Sequence, residues 1–586
     1  MAGPQAEMAG TMFAHRSLFF VVSLLCTTGG LRAACSMPQS ARAAHGMVAS
    51  ASGLASRVGA DVLKHGGNAV DAAAAVGLAL AVVYPQAGNL GGGGFLLIRL
   101  ADGRADAIDY REAAPARATR TMYLDGAGNV IKNASLVGYR AVGVPGTVAG
   151  LALAQRRYGR LPWRAVVEPA RRLAARGFVV SPALAASLQK AALTPLGRFA
   201  ASRRLWLRDG RRYRAGEVLR QPELAATLRR LQRYGPREFY VGRTARLIAR
   251  DMRAHGGLVT RADLRRYRAV ERAPLHGTYR GYGVLTMPPP SSGGVALLEM
   301  LNILERSDLR RSGYRTAPTD HLLVEAMRRA FADRSAFGGD PDFVRVPVRG
   351  LISKTYAAQR AKMIDPTHAT PSAAVGHGRP QAYESPETTH FSVVDAQGNA
   401  VSNTYTLNMS YGSGVTVPGA GFLLNDEMDD FASKPNTPNG FGLIQGDANA
   451  IAPRKRPLSS MTPTILTRGG RLFLVIGSPG GPTIINTVLE VIVNVVDHGM
   501  TLPQAVAAPR LHHQWLPDMI RWEPGALPPP VRAALRAEGH RLAPRPGAFP
   551  HARTWGDAEG ILVDPKTGTR LSASDPRSQD ARAVGY

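Results

Sequence analysis

The sequence predicts a mixed α+β protein, and three observations carry that expectation. Capped, alanine-rich apolar runs stand near the N-terminus, an arginine-studded helical middle follows, and the C-terminal third alternates short β-branched runs with glycine turns. At 586 residues with 45% apolar side chains, the chain can bury a large core, and nothing in its composition reads as extended disorder.

The elements follow in chain order. Ser17 to Thr28 (SLFFVVSLLCTT) is an apolar run after His15-Arg16 and ahead of Ala41-Arg42-Ala43. It is too short for a stable membrane span and reads as a secretory signal peptide over residues 1–43, which places the mature protein in the periplasm or outside the cell. Cys35, after Arg32-Ala33-Ala34, leaves a lipid anchor as an alternative. Cys26 and Cys35 are the only cysteines, so the remainder of the chain carries no disulfide or thiol chemistry. Leu54–Lys64 and Val70–Val83 read as helices, the second capped by Asn68 and so uniformly apolar that it must be buried on most sides. Gly91-Gly92-Gly93-Gly94 is a tight turn into a strand at Phe95–Ile98 and lacks the pattern of a dinucleotide loop.

From Thr147 to about Met363 helical segments with arginine-rich faces predominate. They invite a nucleic-acid reading, since the formal charge is +29. The arginines are interspersed with Leu and Ala at helical spacing, which favours a solvated helix face and no nucleic-acid partner. Residues 365–387 have loop composition. Beyond them Phe391–Asp395 and Ala400–Tyr405 form a hairpin, Leu472–Ile476 a strand, Gly477–Gly481 a turn and Ile484–Val496 a buried helix. Thr388 thus stands where loop gives way to strand. A threonine hydroxyl becomes a useful nucleophile when its own α-amine, freed by chain cleavage, acts as base.

Thr388-Thr389-His390-Phe391-Ser392-Val393-Val394-Asp395, Asn403 to Asn408, Leu424 to Phe431, Arg456 to Met461 and Gly477 to Gly481 together resemble the γ-glutamyltranspeptidase (glutathione hydrolase) family. So do Gly88 to Phe95, Asp109 to Glu112 and Pro289 to Gly294. The resemblance implies a four-layer αββα sandwich of the N-terminal nucleophile hydrolase type. Large (44–387) and small (388–586) subunits of one precursor would build it jointly as a heterodimer. It implies Thr388 as nucleophile, Thr406 orienting it, and Gly480 and Gly481 as oxyanion donors. Arg111, Ser459 and Ser460 would hold the α-carboxylate of the γ-glutamyl head, and Asn408, Glu427 and Asp430 its ammonium. Phe441, in the loop 435–446, takes the place of a lid residue. The implied substrates are glutathione and other γ-glutamyl compounds, with water, amino acids or dipeptides as acceptors and no cofactor or metal. Three readings compete: a glutaryl or cephalosporin acylase of the same superfamily, an exported non-catalytic binding protein, and a serine hydrolase centred on Ser292. Adjacent His512-His513 lacks the helical spacing of a zinc pair.

Overall fold

A computed structural model describes residues 40–380, 390–544 and 555–586. The apolar leader run with Cys26 and Cys35, and Thr388 with the Pro386-Glu387 that precedes it, lie outside the described residues.

Among the described residues, fourteen strands make two seven-stranded sheets. They are β1 (Ser40–Ala43), β2 (Met47–Ser50), β3 (Gly93–Arg99), β4 (Ala105–Tyr110), β5 (Val270–Arg272), β6 (Leu275–Tyr279), β7 (Tyr282–Thr286), β8 (Phe391–Val394), β9 (Ala400–Thr406), β10 (Thr464–Arg468), β11 (Arg471–Ile476), β12 (Glu559–Val563), β13 (Arg570–Ser574) and β14 (Arg582–Gly585). One sheet runs β14-β2-β8-β9-β3-β4-β5 and the other β1-β13-β12-β11-β10-β7-β6, with every neighbouring pair antiparallel.

Side-chain alternation along the strands sorts the core into three apolar layers. Phe95, Leu97, Met47 and Ala49 of one sheet meet Leu285, Ile465, Val475 and Ile561 of the other between the sheets. The opposite faces, with Leu96, Ile98, Val393 and Val401 on one sheet and Val284, Leu466 and Leu474 on the other, pack against helices. Helix, sheet, sheet, helix is the αββα order expected.

The helices that matter here are α1 (Gly53–Lys64), α2 (Ala69–Val83), α3 (Arg243–Ala254), α4 (Gly293–Leu304), α5 (Ala317–Phe337), α6 (Thr483–Val496) and α7 (Pro529–Ala537). All fifteen residues of α2 are buried, and a reciprocal capping box between Asn68 and Asp71 starts it, so the apolar run and its cap predict it well. On α3, Arg243, Arg246, Arg250 and Arg253 stand three to four residues apart and face an open groove that Arg117 and Arg261 also line. Among the described residues no helix is long and apolar enough to cross a membrane.

One expectation needs adjustment. Strands β5, β6 and β7 interrupt the middle stretch that reads as helical, and they supply edges to both sheets. Ala43, the last residue of the expected leader, is also the last residue of β1, which pairs with β13 in the register Ser40 with Ala573 through Ala43 with Arg570.

Candidate active site

The chain enters the site through β8 and β9, which sit side by side in mid-sheet. Their register pairs Phe391 with Asn403 and Val394 with Ala400. His390, the first described residue after the gap, is buried. Its Nε2 lies 2.8 Å from the Glu559 carbonyl and its Nδ1 3.1 Å from Ser402 Oγ. Burial lowers its pKa to about 3, so the ring is a neutral structural wedge at physiological pH. The ring lies so close to Gly477 that a Cβ there would sit 2.4 Å from it.

At the end of β9, Thr406 Oγ1 accepts from the Asn408 backbone N–H at 2.8 Å, and Asn408 holds a left-handed φ of 78°. The Asn408 amide in turn donates to the Asp426 carbonyl at 3.1 Å. The glycine run at 91–94 makes this approach possible: a Cβ on Gly92 would lie 1.9 Å from the Thr406 carbonyl oxygen.

Between β11 and α6 the chain turns through Gly480 (φ 135°) and Gly481 (φ 59°). Among the described residues neither amide N–H donates to a carbonyl or side chain. Both stand just ahead of the N-terminus of a fourteen-residue helix, where the dipole adds to their attraction for negative charge.

Arg111, at the end of β4, is fully buried and uses its whole guanidinium. It donates to Glu427 and Asp430, and to the carbonyls of Pro457 and Leu458 at 3.2 Å each. Burial works against its charge, but Glu427 and Asp430 outweigh burial and hold its pKa above the ordinary value. Sequence reasoning set Arg111 against the two acids with a ligand between them; in the structure all three are in direct contact. Ser459 and Ser460 follow directly in the chain, both buried.

Two further residues join this cluster that the sequence did not single out. Glu112 lies 3.8 Å from Arg111, fully buried, with no hydrogen-bond partner for either carboxylate oxygen among the described residues. Arg334, on α5, is buried and donates from Nε to Ser292 Oγ at 2.7 Å and from Nη2 to Ser460 Oγ at 3.1 Å, while Nη1 has no described partner. Burial lowers its pKa to about 10. Burial also raises the pKa values of Glu112, Glu427 and Asp430, with Arg111 opposing. Two guanidiniums face three carboxylates, so the pocket is close to neutral and cannot hold all three acids ionised without strain.

The loop 435–446 spans the cluster and the glycine turn. Asn439 Nδ2 approaches Asp430 Oδ1 at 3.4 Å, and the Phe441 ring packs where a Cβ on Gly481 would lie 2.7 Å from it. Ser292 Oγ donates to the Ser459 carbonyl at 2.7 Å while accepting from Arg334, so it is structural and has no base to activate it. Buried His512 and His513 bind Gln514 and Asp518 respectively.

Residues 55–585 match the family model described as gamma-glutamyltranspeptidase. The chain belongs to the γ-glutamyltranspeptidase family. It is 49% identical over 545 residues to a glutathione hydrolase proenzyme of Escherichia coli, covering 93% of this chain and 92% of that one. Among solved structures it resembles a cephalosporin acylase from Bacillus halodurans at 30% identity with a TM-score of 0.82, covering 94% of this chain and 97% of that one. It also resembles a γ-glutamyltranspeptidase of Helicobacter pylori at 44% identity with a TM-score of 0.55, covering 56% of this chain and 94% of that one.

Proposed function

We propose that Thr388, freed by cleavage after Glu387, is the nucleophile of this γ-glutamyltranspeptidase, and that the buried Arg111 cluster selects its substrate. The enzyme is an autoprocessing γ-glutamyltransferase and glutathione hydrolase, passing a γ-glutamyl group from an amide to water or to an amino acid or peptide. The observation that carries the substrate reading is the near balance of two guanidiniums, Arg111 and Arg334, against Glu112, Glu427 and Asp430. A γ-glutamyl head is zwitterionic and leaves that balance unchanged. A glutaryl group, lacking the ammonium, would add an uncompensated negative charge to a buried site already rich in acids.

In this reading the α-carboxylate displaces one acid from Arg111 and takes the free Nη1 of Arg334 together with the Ser459 and Ser460 hydroxyls, while the released acid, with Glu427 or Asp430 and Asn408, receives the ammonium. The γ-carbonyl then extends toward the Gly480-Gly481 turn. Thr406 ends β9, three positions beyond Asn403, the partner of Phe391, which favours Thr406 as the residue that orients the nucleophile in the mature enzyme. Thr388 Oγ attacks the γ-carbonyl and its proton passes to the α-amine, whose ordinary pKa of about 7.7 to 8.0 suits that exchange. The oxyanion is held by the two glycine N–H groups, and the departing amine takes the proton from the α-ammonium. Water or an acceptor amine then attacks the acyl-threonine by the same route in reverse.

During maturation the same hydroxyl attacks the Glu387 carbonyl, the peptide bond to Thr388 breaks as its nitrogen takes up the proton, and water hydrolyses the resulting ester, giving fragments that end at 387 and begin at 388 and that remain together as a heterodimer. Export precedes this, and because β1 pairs with β13 the leader is removed ahead of Ser40, which keeps that strand. The deciding experiment measures kcat/KM on γ-glutamyl and glutaryl p-nitroanilides, with and without glycylglycine. A preference for the glutaryl compound would transfer the protein to the acylase reading.

A further inference from the structure

Three ligating side chains converge on the side of the molecule where α5 meets α7. His321 lies in the first turns of α5, Glu538 caps the end of α7, and His540 follows two residues later. His321 Nδ1 is 2.9 Å from His540 Nε2 and 3.4 Å from Glu538 Oε2, and one ligand atom from each of the three residues lies within 4.8 Å of the others. Both histidines are buried, at 2% and 4% exposure, and the glutamate is partly open to solvent.

The orientation of the rings is informative. His321 Nε2 faces the backbone carbonyl of Asp365 at 2.8 Å. A carbonyl can only accept, so Nε2 carries the proton and Nδ1 presents its lone pair to the other two side chains. An imidazole that donates its far N–H to a backbone carbonyl while aiming the other nitrogen at a shared point is the arrangement of a metal-bound histidine. Glu538 Oε2 is buried with no hydrogen-bond partner among the described residues, an anionic acceptor aimed at the same point. Two imidazoles and a carboxylate suit Zn²⁺ or a similar divalent ion in tetrahedral coordination, with water in the fourth position. Bonds of about 2.0 to 2.1 Å at a tetrahedral angle put two nitrogens about 3.3 Å apart. The rings therefore need to separate by only about 0.4 Å from their present spacing, within the reach of a small χ adjustment.

We propose that His321, Glu538 and His540 form a zinc-type site that clips the two fragments of the mature enzyme together. The clip follows from where the ligands fall: His321 and the Asp365 carbonyl precede the cleavage point, whereas Glu538 and His540 follow it. The Ala369 N–H also donates to the Glu538 carbonyl at 2.7 Å, so backbone from both sides already meets there. The role as a clip rests on cleavage ahead of Thr388, but the site itself does not, since its geometry exists in the uncleaved chain.

The test uses tag-free, chelator-treated full-length protein titrated with Zn²⁺ by calorimetry and with Co²⁺ by visible absorption. Wild type should bind about one ion per chain at micromolar or tighter affinity, and the Co²⁺ form should show tetrahedral ligand-field bands. His321→Ala and His540→Ala should lose binding. Should either fail to fold, Glu538→Gln, which preserves shape, should weaken binding at least tenfold. Zn²⁺ should raise the Tm of cleaved wild type by a few degrees and leave that of the variants unchanged, with kcat unaffected in all of them. Uncleaved Thr388→Ala should bind as tightly as wild type, which separates failure of the site from failure of the cleavage reading. No binding to wild type, or binding indifferent to all three substitutions, would overturn the proposal.

Discussion

Arg111→Lys is the sharpest probe of the substrate pocket, because it keeps the charge and removes only the planar fork. Arg111 donates to four acceptors in fixed directions: Glu427, Asp430 and the carbonyls of Pro457 and Leu458. An ammonium has three donors on a shorter, differently directed arm, so at least one or two charge-assisted hydrogen bonds are lost, and with them the bidentate grip on a carboxylate. At about 2 kcal/mol each, within the range for a hydrogen bond to a charged group, losing one or two of them comes to about 2 to 4 kcal/mol. Each 1.36 kcal/mol is tenfold in rate, so kcat/KM on γ-glutamyl p-nitroanilide should fall roughly 30- to 1,000-fold. Self-cleavage involves no γ-glutamyl head and should proceed to completion, visible as two bands on a denaturing gel. A variant that cleaves itself and keeps kcat/KM within threefold of wild type would refute the assignment. So would one that folds normally but no longer cleaves.

Other outcomes follow from the same geometry. Thr388→Ala should stay a single chain without activity, whereas wild type should yield a small fragment whose N-terminal sequence starts Thr-Thr-His-Phe. Gly481→Ala places a methyl 2.7 Å from the Phe441 ring at a φ of 59°, and the displaced oxyanion donor should cost about 10²- to 10³-fold in kcat with KM little changed. Asp430→Asn should narrow the ratio of γ-glutamyl to glutaryl turnover, and an unchanged ratio would remove Asp430 from the specificity argument. His390 is held neutral with a pKa near 3 against an unfolded value near 6.5, so its contribution to stability is complete above pH 6.5 and declines as pH falls toward 3. The stability gap between wild type and His390→Gln should therefore shrink by about 2 kcal/mol from pH 7 to pH 5 in denaturant titrations, and a constant gap would contradict this.

What could be read from the sequence follows a physical rule. Helix α2 was legible because its cap, its length and its apolar run all lie within sixteen consecutive residues. Strands β6 and β7 were not. Their sequence, Leu-His-Gly-Thr-Tyr-Arg-Gly-Tyr-Gly-Val-Leu-Thr, is glycine-rich, and the nearest of them finds its second partner in β10, almost two hundred residues away. The chemical residues divide in the same manner. Arg111, Glu427 and Asp430 stand in motifs that mark them by resemblance. Arg334 shares its helix with Arg328 and Arg329, which are buried too, and only the fold reveals that it is Arg334 that reaches Ser460. Glu112 is the converse case, conspicuous beside Arg111 in the chain yet silent about its burial without partners until the cluster is assembled.

The order of strands in the two sheets determines what the cut does to the molecule afterwards. In one sheet β8 and β9 are wedged between β2 and β3, and in the other the run β10 to β13 is bracketed by β1 and β7. Neither product of the proposed cleavage ahead of Thr388 could leave without tearing both sheets, so such a nick would release nothing, and molecules carrying distinguishable labels should not exchange halves under native conditions. Once melted, however, the nicked protein must recover by a bimolecular encounter of two incomplete sheets, each exposing long unpaired edges. Maturation thus turns refolding from a unimolecular into a concentration-dependent process, and places the persistence of the active form on the slowness of its unfolding.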